Sequence, residues 1–103
     1  MKRERSSPKE IAEGLEALPA WEESGGALLR VVSFSRYKQA LDFTYRVGQL
    51  ADIIDHHPDL LLSYGKVEVR LTTHSEGGLT PLDWDMAHRV EGIVDEFSAL
   101  QDE

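Results

Sequence analysis

Histidine gives and takes protons near neutral pH more readily than any other side chain, and this chain spaces its four histidines unevenly. In the stretch "DIIDHHPDLLLSYGKVEVRLTTH", residues 52 to 74, His56 and His57 are adjacent and His74 closes the run, while His88 stands apart. General acid and base catalysis is the chemistry such a set could perform, because an unperturbed imidazole titrates at about 6.5. Asp52 precedes His56 by four residues, which on a helix puts carboxylate and imidazole on one face, where the acid can orient the ring and favour its charged form.

Blander readings stand beside this one. Adjacent histidines at a helix end often do no more than sit in solvent or meet the last carbonyls as cations. An exposed Asp52–His56 pair is worth little energetically. Three imidazoles could also hold zinc with an open fourth position, although neighbouring histidines at a helix end tend to diverge. Trp21 could be a core residue, and Asp83 has a structural use as a capping residue. His88, near Asp85 and Glu91, reads as solvated.

Composition removes other chemistries. The chain has no cysteine, so disulfides, thiolate metal sites and cysteine nucleophiles are excluded. It also has no G-x-S-x-G elbow, no Gly-rich phosphate loop and no HExxH. A formal charge of -8 opposes a phosphate backbone, so nucleic acid is not an expected partner. No apolar run approaches the roughly 20 residues that span a bilayer, which makes a membrane an unexpected setting. The start, "MKRERSSPKE", has no apolar segment behind it and does not read as a secretory signal, so the cytoplasm is the expected location.

At 103 residues, 41% hydrophobic and 29% charged, the chain is expected to be a frayed tail over 1–6 and one domain over 7–103. The elements that must position the histidines follow from local pattern. "SPKE" is a capping box with Ser7 as cap and Pro8 at the first helical position, and Ile11, Leu15 and Leu18 form the apolar stripe of a first helix. "AWEESGGALLRVVSF" reads as two strands around Gly25-Gly26, with Trp21 in the first. From Ser35 to about His56 the spacing predicts a central helix, with Tyr37, Leu41, Val47, Ala51 and Ile54 on one face and Phe43 and Leu50 widening it. Pro58 stops that helix near the histidine pair. "DLLLSY" and "KVEVRLTT" form a second hairpin about Gly65, and alternation puts His74 on the polar face with Glu68, Arg70 and Thr72. "TPLD" opens a last helix with Thr80 as cap, Pro81 first and Asp83 third, and with Met86, Val90, Ile93, Phe97 and Leu100 along its stripe. The order α-β-β-α-β-β-α predicts an α+β fold, a four-stranded antiparallel sheet with three helices on one face.

The ordered set "DIIDHHP", Tyr64, "VRLTTH" and "GGLTPLD", with its gaps, resembles the pterin-4a-carbinolamine dehydratases, also called dimerisation cofactors of a homeodomain transcription factor. The resemblance runs from about Trp21 to Ile93. It implies the same α+β fold, homodimers or homotetramers built partly by sheet edges, and a lyase that dehydrates 4a-hydroxytetrahydropterin to quinonoid dihydropterin in cofactor recycling, with no metal or redox cofactor. It makes His56, His57 and His74 the catalytic histidines and Asp52 the acidic residue before the pair. Asp55, Thr73 and Ser75 would flank the pterin, Trp21 would lie at the rim, and Asp83 would close the motif. Many members carry Glu-Lys where this chain has Asp52 and Ile53. For the implied acid/base scheme His57 is assigned first as the base, with His56 and His74 around the hydroxyl as acid and hydrogen-bond donors and Asp52 orienting His56 or raising its pKa; the sequence leaves open which histidine does which. An aromatic amino-acid hydroxylase or another protein is the implied partner. Three rivals are a non-catalytic interaction module of the same fold, a metal-dependent hydrolase using the three histidines, and an oligomeric scaffold. The run Leu60-Leu61-Leu62 exceeds what one sheet face can bury, so Leu61 or Leu62 is expected in a subunit contact.

Overall fold

A computed structural model describes residues 4–101. Helix α1 (Pro8–Glu16) is followed by strands β1 (Glu22–Ser24) and β2 (Ala27–Ser33), helix α2 (Tyr37–Ile54), strands β3 (Asp59–Ser63) and β4 (Lys66–Leu71), a 3-10 turn (His74–Glu76) and helix α3 (Pro81–Gln101). The sheet order is β1-β2-β4-β3 and every pairing is antiparallel. This is the α+β arrangement with helices on one face that the sequence pattern predicts.

Local chemistry accounts for the element ends. Ser7 and Glu10 make a reciprocal capping box at α1, and the Ser7 backbone N–H, then its hydroxyl, holds the Glu10 carboxyl below the usual carboxylate range. Gly25 and Gly26 both take positive φ, 58° and 79°, in the β1–β2 turn. Trp21 falls just before β1 rather than inside it, because the first strand is only three residues long. The central helix also starts later than Ser35. Gln39 Oε1 accepts from the Arg36 amide at 3.2 Å and from the Ser35 hydroxyl at 3.0 Å, so Arg36 is the cap and Tyr37 the first helical residue. Residues 1–3 of the expected tail lie outside the described residues. Ser6 is tied down by its amide to Leu79 O (2.7 Å) and by Trp84 Nε1 to its hydroxyl (3.0 Å).

The core lies between the sheet and the helices. Leu28 and Val32 on β2 meet Val67, Val69 and Leu71 on β4, and all are buried against Phe43 and Val47 of α2 and Met86, Val90 and Ile93 of α3. Phe43 also stands edge-on to Phe97, with centroids 5.6 Å apart and planes at 90°, and packs against Phe34 at 5.2 Å. Tyr37 and Leu41 leave the expected core face. The stripe that faces the sheet is Ala40, Phe43, Val47 and Ala51, and Leu41 lies about 100° around the helix from Ala40, so Leu41 and Tyr37 stay 45% and 44% exposed. Leu100 has no described side chain. On β3, Leu60 and Leu62 face the core and Leu61 points to the open sheet face, where it is 60% exposed.

Phe43 has no exposed surface and two aromatic partners, so Phe43→Ala should cost about 3–5 kcal/mol of unfolding free energy. A urea denaturation midpoint unchanged from wild type would contradict this packing.

Candidate active site

The histidine pair is placed by an unusual helix end. Asp55 adopts the left-handed conformation, φ 54° and ψ 44°, and both its amide and that of His56 (3.2 Å) donate back to Ala51 O. Aspartate tolerates this geometry better than most side chains. The helix therefore closes at Ile54, two residues before the pair, and the reversal at Asp55 separates the two rings. The His56 side chain turns inward and is 10% exposed, while that of His57 turns outward and is 56% exposed.

Carboxylate partners follow from that separation, and they correct the helical spacing argument. Asp52 does not orient His56: its Oδ1 lies 2.9 Å from His57 Nε2, in an exposed pair. An i to i+4 contact requires the helix to continue through His56, and the left-handed residue prevents it. His56 Nε2 is bonded at 2.7 Å to Asp83 Oδ1, from a carboxylate with no exposed surface. Asp83 sits in the first turn of α3, and its Oδ2 accepts from the Thr80 amide at 3.0 Å, which is the capping bond expected from "TPLD". That same oxygen also accepts from the Thr73 hydroxyl at 2.7 Å, and Thr73 Oγ1 lies 2.8 Å from Thr80 Oγ1. One carboxylate thus joins the end of α2, the segment after β4 and the start of α3.

The remaining candidates fall into two groups. Thr73 is buried because it continues the inward face Val67, Val69, Leu71. His74 and Ser75 follow it into the 3-10 turn and are exposed, with the Ser75 hydroxyl on Glu76 at 2.9 Å. His74 is therefore one residue from a side chain that shares Asp83 with His56. Asp55 is exposed at the head of the pair. Trp21 is held elsewhere, at the β1 edge of the sheet: it is buried and its indole N–H donates to Glu91 Oε1 at 2.6 Å, an oxygen that also accepts from Arg30 Nε. His88 is exposed on α3, with Asp85 bonded to Arg89.

Sequence reasoning missed Thr80 as a member of the network and the pair Arg30 and Glu91 around Trp21. Extending the alternation of β4 by one step would have shown Thr73 to be inward-facing. Nothing local signals that the capping carboxylate of α3 meets a histidine 27 residues earlier.

Fold and site together define an α+β protein with paired histidines at a helix end, one of them anchored on a buried carboxylate. A sequence model described as "Pterin 4 alpha carbinolamine dehydratase" matches residues 4–93. Among curated proteins, a "Putative pterin-4-alpha-carbinolamine dehydratase" of Acidobacterium capsulatum is 40% identical over 88 residues, covering 85% of this chain and 96% of the relative. A protein of the same description from Chelativorans sp. is 41% identical over 96 residues, covering 91% and 98%. The crystal structure of a "transcriptional coactivator/pterin dehydratase" from Brucella melitensis superposes with a TM-score of 0.83 at 35% identity, over 87% of this chain and 98% of that one. A pterin dehydratase-like RuBisCO assembly factor of the alpha-carboxysome shares the fold, with a TM-score of 0.61 at 19% identity over 72% of this chain and 86% of its own. The chain belongs to the pterin-4-alpha-carbinolamine dehydratase family.

The two carboxylates should differ sharply on removal. Asp83→Ala strands donors from three segments of the chain and should cost about 3–5 kcal/mol, whereas Asp52→Ala, at an exposed pair, should cost less than about 1 kcal/mol. Denaturant titrations of both variants test this, and equal losses would refute it.

Proposed function

We propose that this chain is a 4a-hydroxytetrahydropterin dehydratase that yields quinonoid dihydropterin by histidine acid/base catalysis, serving pterin cofactor recycling. The observation that carries the reading is the anchoring of His56 on buried Asp83 directly beside the outward-facing His57. Family membership supplies the substrate class, and the sequence relatives carry the dehydratase name. Loss of water from C4a needs one group to protonate the departing hydroxyl and another to take the proton from N5. Neither step changes an oxidation state, so imidazoles suffice.

The proposed site is His56, His57 and His74, with Asp55 and Ser75 exposed nearby to meet the pterin. Asp52 takes the role of orienting His57. Thr73 and Asp83, proposed from the resemblance as pterin contacts, act from behind the histidines in this reading, since both are buried with their polar atoms bonded to protein. The place of Trp21, apart from the histidines in one chain, fits a rim position only if a second chain brings it there. Homodimers or homotetramers, a single domain over 7–103 and a cytoplasmic setting belong to the same proposal, with an aromatic amino-acid hydroxylase as the source of the substrate. Among the described residues no helix is long and apolar enough to cross a membrane.

A second reading is a protein-interaction module of the same fold. It is favoured by the exposed Tyr37, Leu41 and Tyr45, spaced along one side of α2, and by Tyr64, stacked on Tyr37 with centroids 6.1 Å apart. The similar Brucella protein is named as coactivator and dehydratase together.

The deciding experiment generates 4a-hydroxytetrahydropterin with a coupled hydroxylase and follows its decay above the spontaneous rate. Wild-type protein should accelerate the decay with or without EDTA, and His57→Ala, folded by circular dichroism, should lose about 10²-fold to 10⁴-fold. No acceleration by wild type would move the assignment to the interaction module, and loss to EDTA with rescue by zinc would move it to a metal site. The open sheet face aligns Val31, Glu68 and Leu61 across three strands, and Val31 and Leu61 are exposed. If that face lies between subunits, Leu61→Asp should lower the mass measured by light scattering; an unchanged mass would rule Leu61 out of the contact.

A further inference from the structure

The hydrogen bonds around Asp83 have a fixed direction, and the count of protons sets it. The Thr80 hydroxyl oxygen accepts from the Leu82 amide at 3.3 Å. Asp83 Oδ2 accepts from the Thr80 amide, which can only donate, and from the Thr73 hydroxyl. The single Thr73 proton is thereby used. The 2.8 Å contact between the two threonine oxygens must then be supplied by the Thr80 proton. As a carboxylate Asp83 only accepts, so with two donors on Oδ2 its other oxygen, Oδ1, takes the hydrogen of His56 Nε2 across 2.7 Å.

The other ring nitrogen has the opposite situation. No described residue bonds His56 Nδ1, and no buried side-chain nitrogen or oxygen among the described residues lacks a partner. Nδ1 therefore reaches solvent even though the side chain is 10% exposed. We infer that Asp83 fixes His56 in the Nε2–H tautomer and that Thr73 and Thr80 are positioning residues whose hydroxyl chain holds that carboxylate in place, so that Nδ1, with its lone pair, faces the substrate and His56 is the base. The carboxylate behind the ring then stabilises the imidazolium that forms when Nδ1 takes a proton, as in other acid-oriented histidine bases.

The assignment to the base rests on the dehydratase reading; the tautomer does not. In the reaction, His56 Nδ1 takes the proton from N5, the N5–H electron pair becomes the N5=C4a double bond, and the C4a–O bond breaks with its pair on oxygen. His57 or His74, in its protonated form, supplies the proton that makes the leaving hydroxyl water. This makes His56 the base in place of His57, the first assignment from sequence. Thr73 touches no reacting atom in this scheme.

The test is a long-range proton–nitrogen NMR spectrum of the histidine side chains in the uniformly ¹⁵N-labelled full chain above neutral pH, with His56 assigned by its loss in His56→Ala. Wild type should show His56 as the pure Nε2–H tautomer, and the opposite tautomer or an averaged pattern would overturn the inference whether or not the protein is a dehydratase. Thr73→Val keeps the shape but removes the hydroxyl. It should give an averaged tautomer pattern and lower kcat about tenfold with KM within about twofold, and Thr73→Ser should restore both readouts. A Thr73→Val protein that keeps the pure tautomer and full kcat would remove Thr73 from the role. A wild type with the expected tautomer but no dehydratase activity would sustain the locking and overturn the base assignment.

Discussion

A carboxylate cannot be withdrawn from water without partners, and the buried Asp83 is the point on which this structure turns. Its two oxygens gather donors from three separate parts of the chain: the ring of His56 after α2, the hydroxyl of Thr73 after β4, and the amide of Thr80 before α3. An isolated buried charge would cost several kcal/mol, so these three segments are correct together or not at all. The candidate site and the fold are stabilised by the same bonds. An apolar residue at 83 could cap nothing, hold no histidine and leave three donors facing each other.

A second polar knot does the corresponding work toward the β1 edge of the sheet. Glu91 Oε1 accepts from Trp21 and from Arg30, tying the segment before β1 and the middle of β2 to the third turn of α3. Helix α3 is thus fixed to the sheet by one acidic residue at its start and another two turns later, with Met86, Ala87 and Val90 buried between. Asp83, Met86, Ala87, Val90 and Glu91, three and four residues apart, thus share the face of α3 that meets the sheet.

The fold was legible because its signals are local. The capping residues Ser7 and Thr80, the glycine turn at Gly25-Gly26 and the alternation from Val67 to Leu71 each depend on neighbours within a few residues, and each gave the right element. The phase of α2 was harder to read. Tyr37 and Leu41 are apolar enough to count toward a core stripe, yet the face that meets the sheet is set by Ala40, Phe43 and Val47, and the surplus is left outside. The site residues were named by resemblance, but their pairing was not recoverable from spacing. A single left-handed residue, Asp55, ended the helix early and exchanged the expected partner of His56 for one in another helix, while Asp52 went to His57. Asp83 looked like a cap and is one; its second use depends on tertiary contact alone.

The separation of the two rings by Asp55 also gives them different electrical surroundings. The His57–Asp52 pair lies in solvent, where counterions at physiological ionic strength screen charges over about 8 Å. The His56–Asp83 pair is sheltered from those ions by protein on the carboxylate side. Dissolved salt therefore screens the contact of His57 with Asp52 more than that of His56 with Asp83, so two adjacent, chemically identical side chains hold their carboxylates in different media.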